Sequence, residues 1–163
     1  MFQGFTEQTF EFFMAIRFNN NREFFLENHD WYQSSVRTPC LDLAAALGET
    51  VNALDPELET RPTKVLSRIN RDVRFSNDKS PYRDYLWLAF RRPGEERRTT
   101  LGVYVDVSDD GINYGMGFYD ENLPLMKAFR ATLENAPAEF LEIAVEVEKE
   151  FELHPKAYKR MKP

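Results

Sequence analysis

The segment Leu101-Gly102-Val103-Tyr104-Val105-Asp106-Val107-Ser108-Asp109-Asp110-Gly111-Ile112 places an apolar side chain at every second position and then meets an aspartate-glycine pair. Period two is the spacing of a strand with one buried face, and Asp110-Gly111 is a strong hairpin signal. A strand over Leu101 to Val107 therefore turns back into a second, Ile112 to Tyr119, whose Gly115 and Gly117 mark a bulge or a close approach of a ligand or backbone. Upstream, Leu86, Leu88 and Phe90 alternate with Tyr85, Trp87 and Ala89, and Pro93-Gly94 turns the chain toward Leu101. Further upstream still, Ile69, Val73 and Phe75 alternate with Arg68, Asn70, Asp72 and Arg74, which predicts another strand from residue 65. Four successive strands read as an antiparallel meander over 65–119.

Helical spacing flanks this core on both sides. Thr6 offers an N-cap, and Phe10, Phe13 and Met14 make an apolar stripe, predicting a helix over 6–18. A second helix starts at Asn19-Asn20-Asn21, carries Phe24, Phe25, Trp31 and Tyr32, and ends before Thr38-Pro39. A third runs from about Leu41 to Leu54 and stops at Asp55-Pro56. Beyond the sheet, Asn122 and Pro124 start a helix lined by Leu125, Phe129 and Leu133, and Pro137 opens a last, acidic one with Phe140, Ile143, Ala144 and Val147 facing inward. The expectation is an α+β fold, a four-stranded meander packed with N-terminal and C-terminal helices, in one domain over 1–163. Its parts are helical 6–54, sheet 65–119, helical 123–152 and a short basic tail of Lys156, Lys159, Arg160 and Lys162.

At 163 residues, with 42% hydrophobic, 14% aromatic and 29% charged side chains, the chain is globular and not collagen-like, coiled-coil or disordered. A single cysteine, Cys40, forms neither an intrachain disulfide nor a thiolate cage, and no basic leader or transmembrane-length apolar run is seen, so a cytoplasmic protein with no membrane association is expected. The net charge of −6 disfavours nucleic acid as a partner. The charge is uneven, however. Between Arg61 and Arg98 lie eleven of the 21 basic side chains, nine of them arginine, against five of the 27 acidic ones. Arginine suits bidentate pairing with carboxylate or phosphate.

The densest part of that island is Arg68-Ile69-Asn70-Arg71-Asp72-Val73-Arg74-Phe75-Ser76-Asn77-Asp78-Lys79-Ser80-Pro81-Tyr82-Arg83. Arg71 falls in phase with Ile69 and Val73, on the buried side, where a guanidinium requires a partner such as Asp72, Asp78, Asp84 or a bound anion. Arg68 and Arg74 lie on the opposite side. This stretch, together with Asn19-Asn20-Asn21-Arg22-Glu23-Phe24-Phe25, Gly115-Met116-Gly117 and Phe129-Arg130, resembles the conserved hypothetical proteins of the domain of unknown function 2461 family. The family has no assigned activity, so the resemblance implies a fold and a cluster of special residues without a reaction. Its members usually continue past the point where this chain ends, which implies a missing C-terminal portion.

The functional expectation is binding of a small anionic ligand, such as a phosphorylated one, at an Arg-rich sheet surface. The candidate residues are Arg68, Arg71, Asp72, Arg74, Asp78, Lys79, Tyr82 and Arg83, with Arg71 as organiser and Tyr82, Tyr104 or Trp87 as an aromatic wall. The competing account is an Arg-Asp network that only ties the strands to the Ser76–Pro81 loop. The alternative function is a non-catalytic interaction module docking an acidic protein partner. Were the chain an enzyme, acid-base work would fall to Asp72, Asp78 or a tyrosine beside the arginines. No cofactor is expected. Asp106, Ser108, Asp110 and Gly111 copy the opening of a calcium loop but lack its closing glutamate, and His29 and His154 are too few and too far apart, so no metal is assigned. Cys40 reads as a core cysteine.

Overall fold

A computed structural model describes residues 1–74, 77–96 and 98–151. Within it the chain forms two compact units, Met1–Glu121 and a second beginning at Asn122.

In the first unit the helices come first: α1 (Glu7–Phe18), α2 (Arg22–Glu27), α3 (His29–Tyr32), a π-helical turn (Gln33–Arg37), α4 (Thr38–Leu54) and the short α5 (Pro62–Val65). Thr38-Pro39 does not end a helix, contrary to the expectation from sequence; the helical path runs through it into α4. Proline removes the N–H that would bond four residues back, and its ring crowds that carbonyl. Here the orphaned acceptor is Ser35. The turn widens just before the proline, with the Thr38 N–H reaching back to the Gln33 carbonyl. The fully buried Thr9 hydroxyl, from α1, donates to the Ser35 carbonyl at 2.6 Å and so replaces the missing amide.

The sheet is antiparallel, in the order β1 (Tyr85–Phe90), β2 (Gly102–Ser108), β3 (Gly111–Gly117). Ser108 pairs with Gly111 across the Asp109-Asp110 turn, and Gly111 takes φ +119°, a conformation open to glycine. Leu86, Leu88 and Phe90 share a face with Val103, Val105 and Val107, and that face packs on Phe12, Phe13, Ile16, Val36, Cys40 and Ala44.

The predicted four-stranded meander is therefore corrected to three strands among the described residues. The segment expected as a first strand carries two isolated antiparallel bridges, Leu66 with Leu88 and Asn70 with Tyr82, and no ladder. Its geometry forbids one. The bridges lie four positions apart on one side and six on the other, so the register slips between them. At the inner bridge, Trp87 N–H donates to the Ser67 hydroxyl instead of a carbonyl. At the outer one, the Arg71 N–H bonds the Pro81 carbonyl, and Pro81 has no N–H to return. Tyr82 turns its other backbone edge to Asn20, whose side-chain amide accepts from Tyr82 N–H at 3.0 Å and donates to its carbonyl at 2.9 Å. One asparagine thus occupies the place of a neighbouring strand. Phe75 and Ser76 lie outside the described residues, as do Arg97, His154 and the basic tail.

The second unit contains α6 (Leu123–Asn135), capped by the Asn122 side chain accepting from Leu125 N–H, and α7 (Pro137–Glu148). Phe129 and Phe140 meet edge to face at 6.1 Å between the two helices. Among the described residues no helix is long and apolar enough to cross a membrane.

Candidate functional site

The register slip between the two bridges exposes a surplus of chain at Arg83-Asp84, and Asp84 becomes the centre of an ion-pair series. Arg71 reaches Asp78 at 2.8 Å and Asp84 at 3.6 Å, while Arg17 of α1 takes the other Asp84 oxygen at 2.9 Å and also pairs with Asp109 of the hairpin turn. Arg71 is one-fifth exposed, and its Nε also points to the Tyr82 carbonyl. A half-buried guanidinium is thereby matched by carboxylates from two loops, which answers the need its strand phase created.

The remaining predicted residues divide in two. Arg74 grips Asp72 two residues away through Nε and Nη2, in an exposed fork that holds the Asp72 carboxyl down at about 2. Asp78 is also held below the usual range, first by the Ser80 amide and then by Arg71. Carboxylates held so low are weak bases at neutral pH. Lys79 donates to the Val73 carbonyl at 2.9 Å, and Tyr82 is a core residue stacked on Phe25 at 4.2 Å. These groups serve the loop and the core. Arg83 lies over Trp87, 4.7 Å from the ring centroid, and its Nε is buried without a hydrogen-bond partner among the described residues.

Arg68 stands apart from its predicted companions. It is exposed, has no carboxylate within ion-pairing distance among the described residues, and borders a cavity of about 220 Å³. Arg37, the last residue of the π-helical turn, lines the same cavity, likewise without an ion pair among the described residues. Tyr32, Thr63, Ser67 and Asn70 supply further polar groups, and Leu41, Leu66 and Ile69 form an apolar wall. Burial pushes the Tyr32 phenol up to about 12, against the opposing field of Arg37, so it stays a protonated donor. The Ser67 oxygen already accepts from Trp87, which leaves its own proton to offer. No acidic side chain lines the cavity among the described residues.

Sequence reasoning placed Arg68 in a site but missed Arg37, Tyr32, Thr63, Ser67 and Asn70 as its neighbours. Thr38-Pro39 disguised Arg37 as the frayed end of a helix. The available signal was Pro39 itself, since a proline that a helix passes through forces a local widening of the kind found at functional sites.

Residues 8–163 match the description of a conserved hypothetical protein, DUF2461. The chain belongs to the DUF2461 family. Neither the curated proteins nor the solved structures yield a match. The DUF2461 match spans both compact units and every cavity residue named above, and it brings no chemistry with it. The reading of this DUF2461 chain therefore rests on its own side chains.

Proposed function

We propose that this protein binds a small anionic ligand in the cavity between the π-helical turn and the Leu66–Asn70 segment. One observation carries the reading: two guanidinium groups, Arg37 and Arg68, come from separate elements to one concavity, and no carboxylate among the described residues neutralises either. Several other arginines of the basic island meet acids, as Arg61 does Glu59, Arg71 does Asp78, Arg74 does Asp72 and Arg92 does Asp55, whereas Arg83 lies on Trp87. Two uncompensated guanidinium charges on one cavity repel each other, and an oxyanion bound there relieves that repulsion while accepting their forked N–H donors.

The size limits the ligand. About 220 Å³ is smaller than the roughly 300–1,000 Å³ of sites for drug-sized molecules, so the ligand is of metabolite size or is the small charged end of something larger. The test is calorimetric titration with sulfate and phosphate of the native protein, Arg68→Ala and Arg37→Ala. A charged hydrogen bond contributes about 1.5–3 kcal/mol, so each variant is expected to bind roughly ten- to a hundredfold more weakly. Arg68 is exposed and bears no structural load, so Arg68→Ala retains the native melting curve. Equal binding by native protein and both variants refutes the proposal.

A further inference from the structure

The cavity's chemistry also says which anions it prefers, an inference that rests on the binding reading above. Its fixed charge is that of two guanidinium groups, and no carboxylate, histidine or lysine lines it among the described residues. The hydroxyl of Tyr32 makes no hydrogen bond to another described residue and stays protonated, and the hydroxyl of Ser67 has a proton to give. The cavity is thus lined by side chains that carry several donors and two positive charges. A monoanion leaves one of those charges uncompensated, and a planar carboxylate has only two oxygens to offer. A tetrahedral dianion answers both demands, with four oxygens for the donors and two charges for Arg37 and Arg68.

We infer that the cavity selects a tetrahedral dianion, of the sulfate or phosphate-monoester type, over carboxylates and phosphodiesters. The apolar wall of Leu41, Leu66 and Ile69 has no task in binding a bare oxyanion, and it gives a short carbon skeleton a surface to cover. This favours the esterified form, such as a phosphorylated small metabolite, over free phosphate.

The ligand's own titration tests the inference, because phosphate esters take up their second proton near pH 6 whereas sulfate remains a dianion throughout. The full chain is titrated calorimetrically with sulfate, inorganic phosphate, glycerol 3-phosphate, dimethyl phosphate and acetate at pH 7.5 and pH 5.0, and again as Arg68→Ala. At pH 5.0 about nine tenths of a phosphomonoester is monoanionic, so glycerol 3-phosphate is expected to lose roughly tenfold in affinity, and inorganic phosphate, which takes up its second proton about one pH unit higher, more than that. Sulfate is expected to bind alike at both. Dimethyl phosphate and acetate are expected to bind at least tenfold more weakly than sulfate at either pH. Glycerol 3-phosphate binding more tightly than phosphate at pH 7.5 identifies the esterified source, and equal binding identifies the free oxyanion. If dimethyl phosphate or acetate matches sulfate, with all of them lost in Arg68→Ala, the dianion selectivity is overturned while anion binding stands. If no anion binds, or Arg68→Ala binds them all as the native protein does, the binding reading itself falls.

Discussion

Replacing Thr9 by valine removes a hydroxyl and almost nothing else, because the two side chains share a shape. Thr9 is fully buried; its hydroxyl accepts from the Thr6 N–H at 3.3 Å in the α1 capping box, a bond Pro39 does not touch, and donates at 2.6 Å to the buried Ser35 carbonyl, which Pro39 deprives of a backbone donor. Leaving a buried carbonyl unsatisfied costs about 1–3 kcal/mol. Taking about 2 kcal/mol, Thr9→Val should melt roughly 4–8 °C below the native protein. Such a loss alone would not establish why the hydroxyl matters. Pro39→Ala does, since it restores an N–H four residues beyond Ser35 and gives the carbonyl a partner within the helix. The Thr9→Val penalty should then shrink by about 1 kcal/mol or more, a coupling well above the additivity expected of independent sites. Urea unfolding followed by tryptophan fluorescence reads the relevant unit, because Trp31 and Trp87, the chain's two tryptophans, both lie before residue 122. Equal penalties in the two backgrounds would refute the account of the π-helical turn as the accommodation of Pro39.

Three other outcomes follow from the same geometry. Asn20→Asp keeps the acceptor for Tyr82 N–H but loses the donor to its carbonyl, and should destabilise the first unit by about 1–3 kcal/mol in urea; a change under about 0.5 kcal/mol would mean that the asparagine is no strand surrogate. Glu59, held near 2 by its bonds to Arg61, has a folded pKa below its unfolded one, so its contribution is present above the ordinary carboxylate range and fades as pH falls toward 2. Glu59→Gln should therefore flatten the acid side of the stability curve between about pH 4.5 and 2, with its loss greatest at neutral pH and vanishing near pH 2; a curve parallel to the native one would contradict this. Cys40 is 1% exposed, and burial pushes its thiol up to about 12, so a thiol reagent at pH 8 should label it only as fast as the fold opens, whereas immediate labelling of the native protein would place it elsewhere.

Much of the fold was legible because it rests on local periodicity. Leu86 to Phe90 and Val103 to Val107 alternate in the chain and form the buried face of the sheet, and Asp110-Gly111 marks the hairpin between β2 and β3. The missing strand was illegible for the opposite reason. Ile69 is buried in phase with the pattern, as expected, yet alternation says only which way side chains point and not whether a partner's amides meet the backbone. That depended on Pro81, on the two-residue slip and on Asn20, which is 62 positions away from Tyr82 in the chain. Likewise the helix through Pro39 required a hydroxyl from α1, 26 positions before the carbonyl it serves.

The site shows the same limit in electrostatic form. Arg68, Arg71 and Arg74 are spaced three apart and look equivalent in sequence, but their fates are set by which carboxylates arrive. Arg74 finds Asp72 two residues away, a pairing that sequence proximity does suggest. Arg71 finds Asp84 only because the return arm carries extra residues, and Asp84 is fixed in turn by Arg17, 67 positions distant. Arg68 shares a cavity with another cation, Arg37, the last residue of the turn that precedes Pro39. An arginine count therefore identifies a region, whereas the charge left over after pairing identifies the proposed site. Structural arginines are those whose removal strands a carboxylate, and Arg68 strands none among the described residues. Its loss should cost ligand affinity and leave the melting curve in place, and that split between binding and stability separates a recognition residue from a scaffold residue.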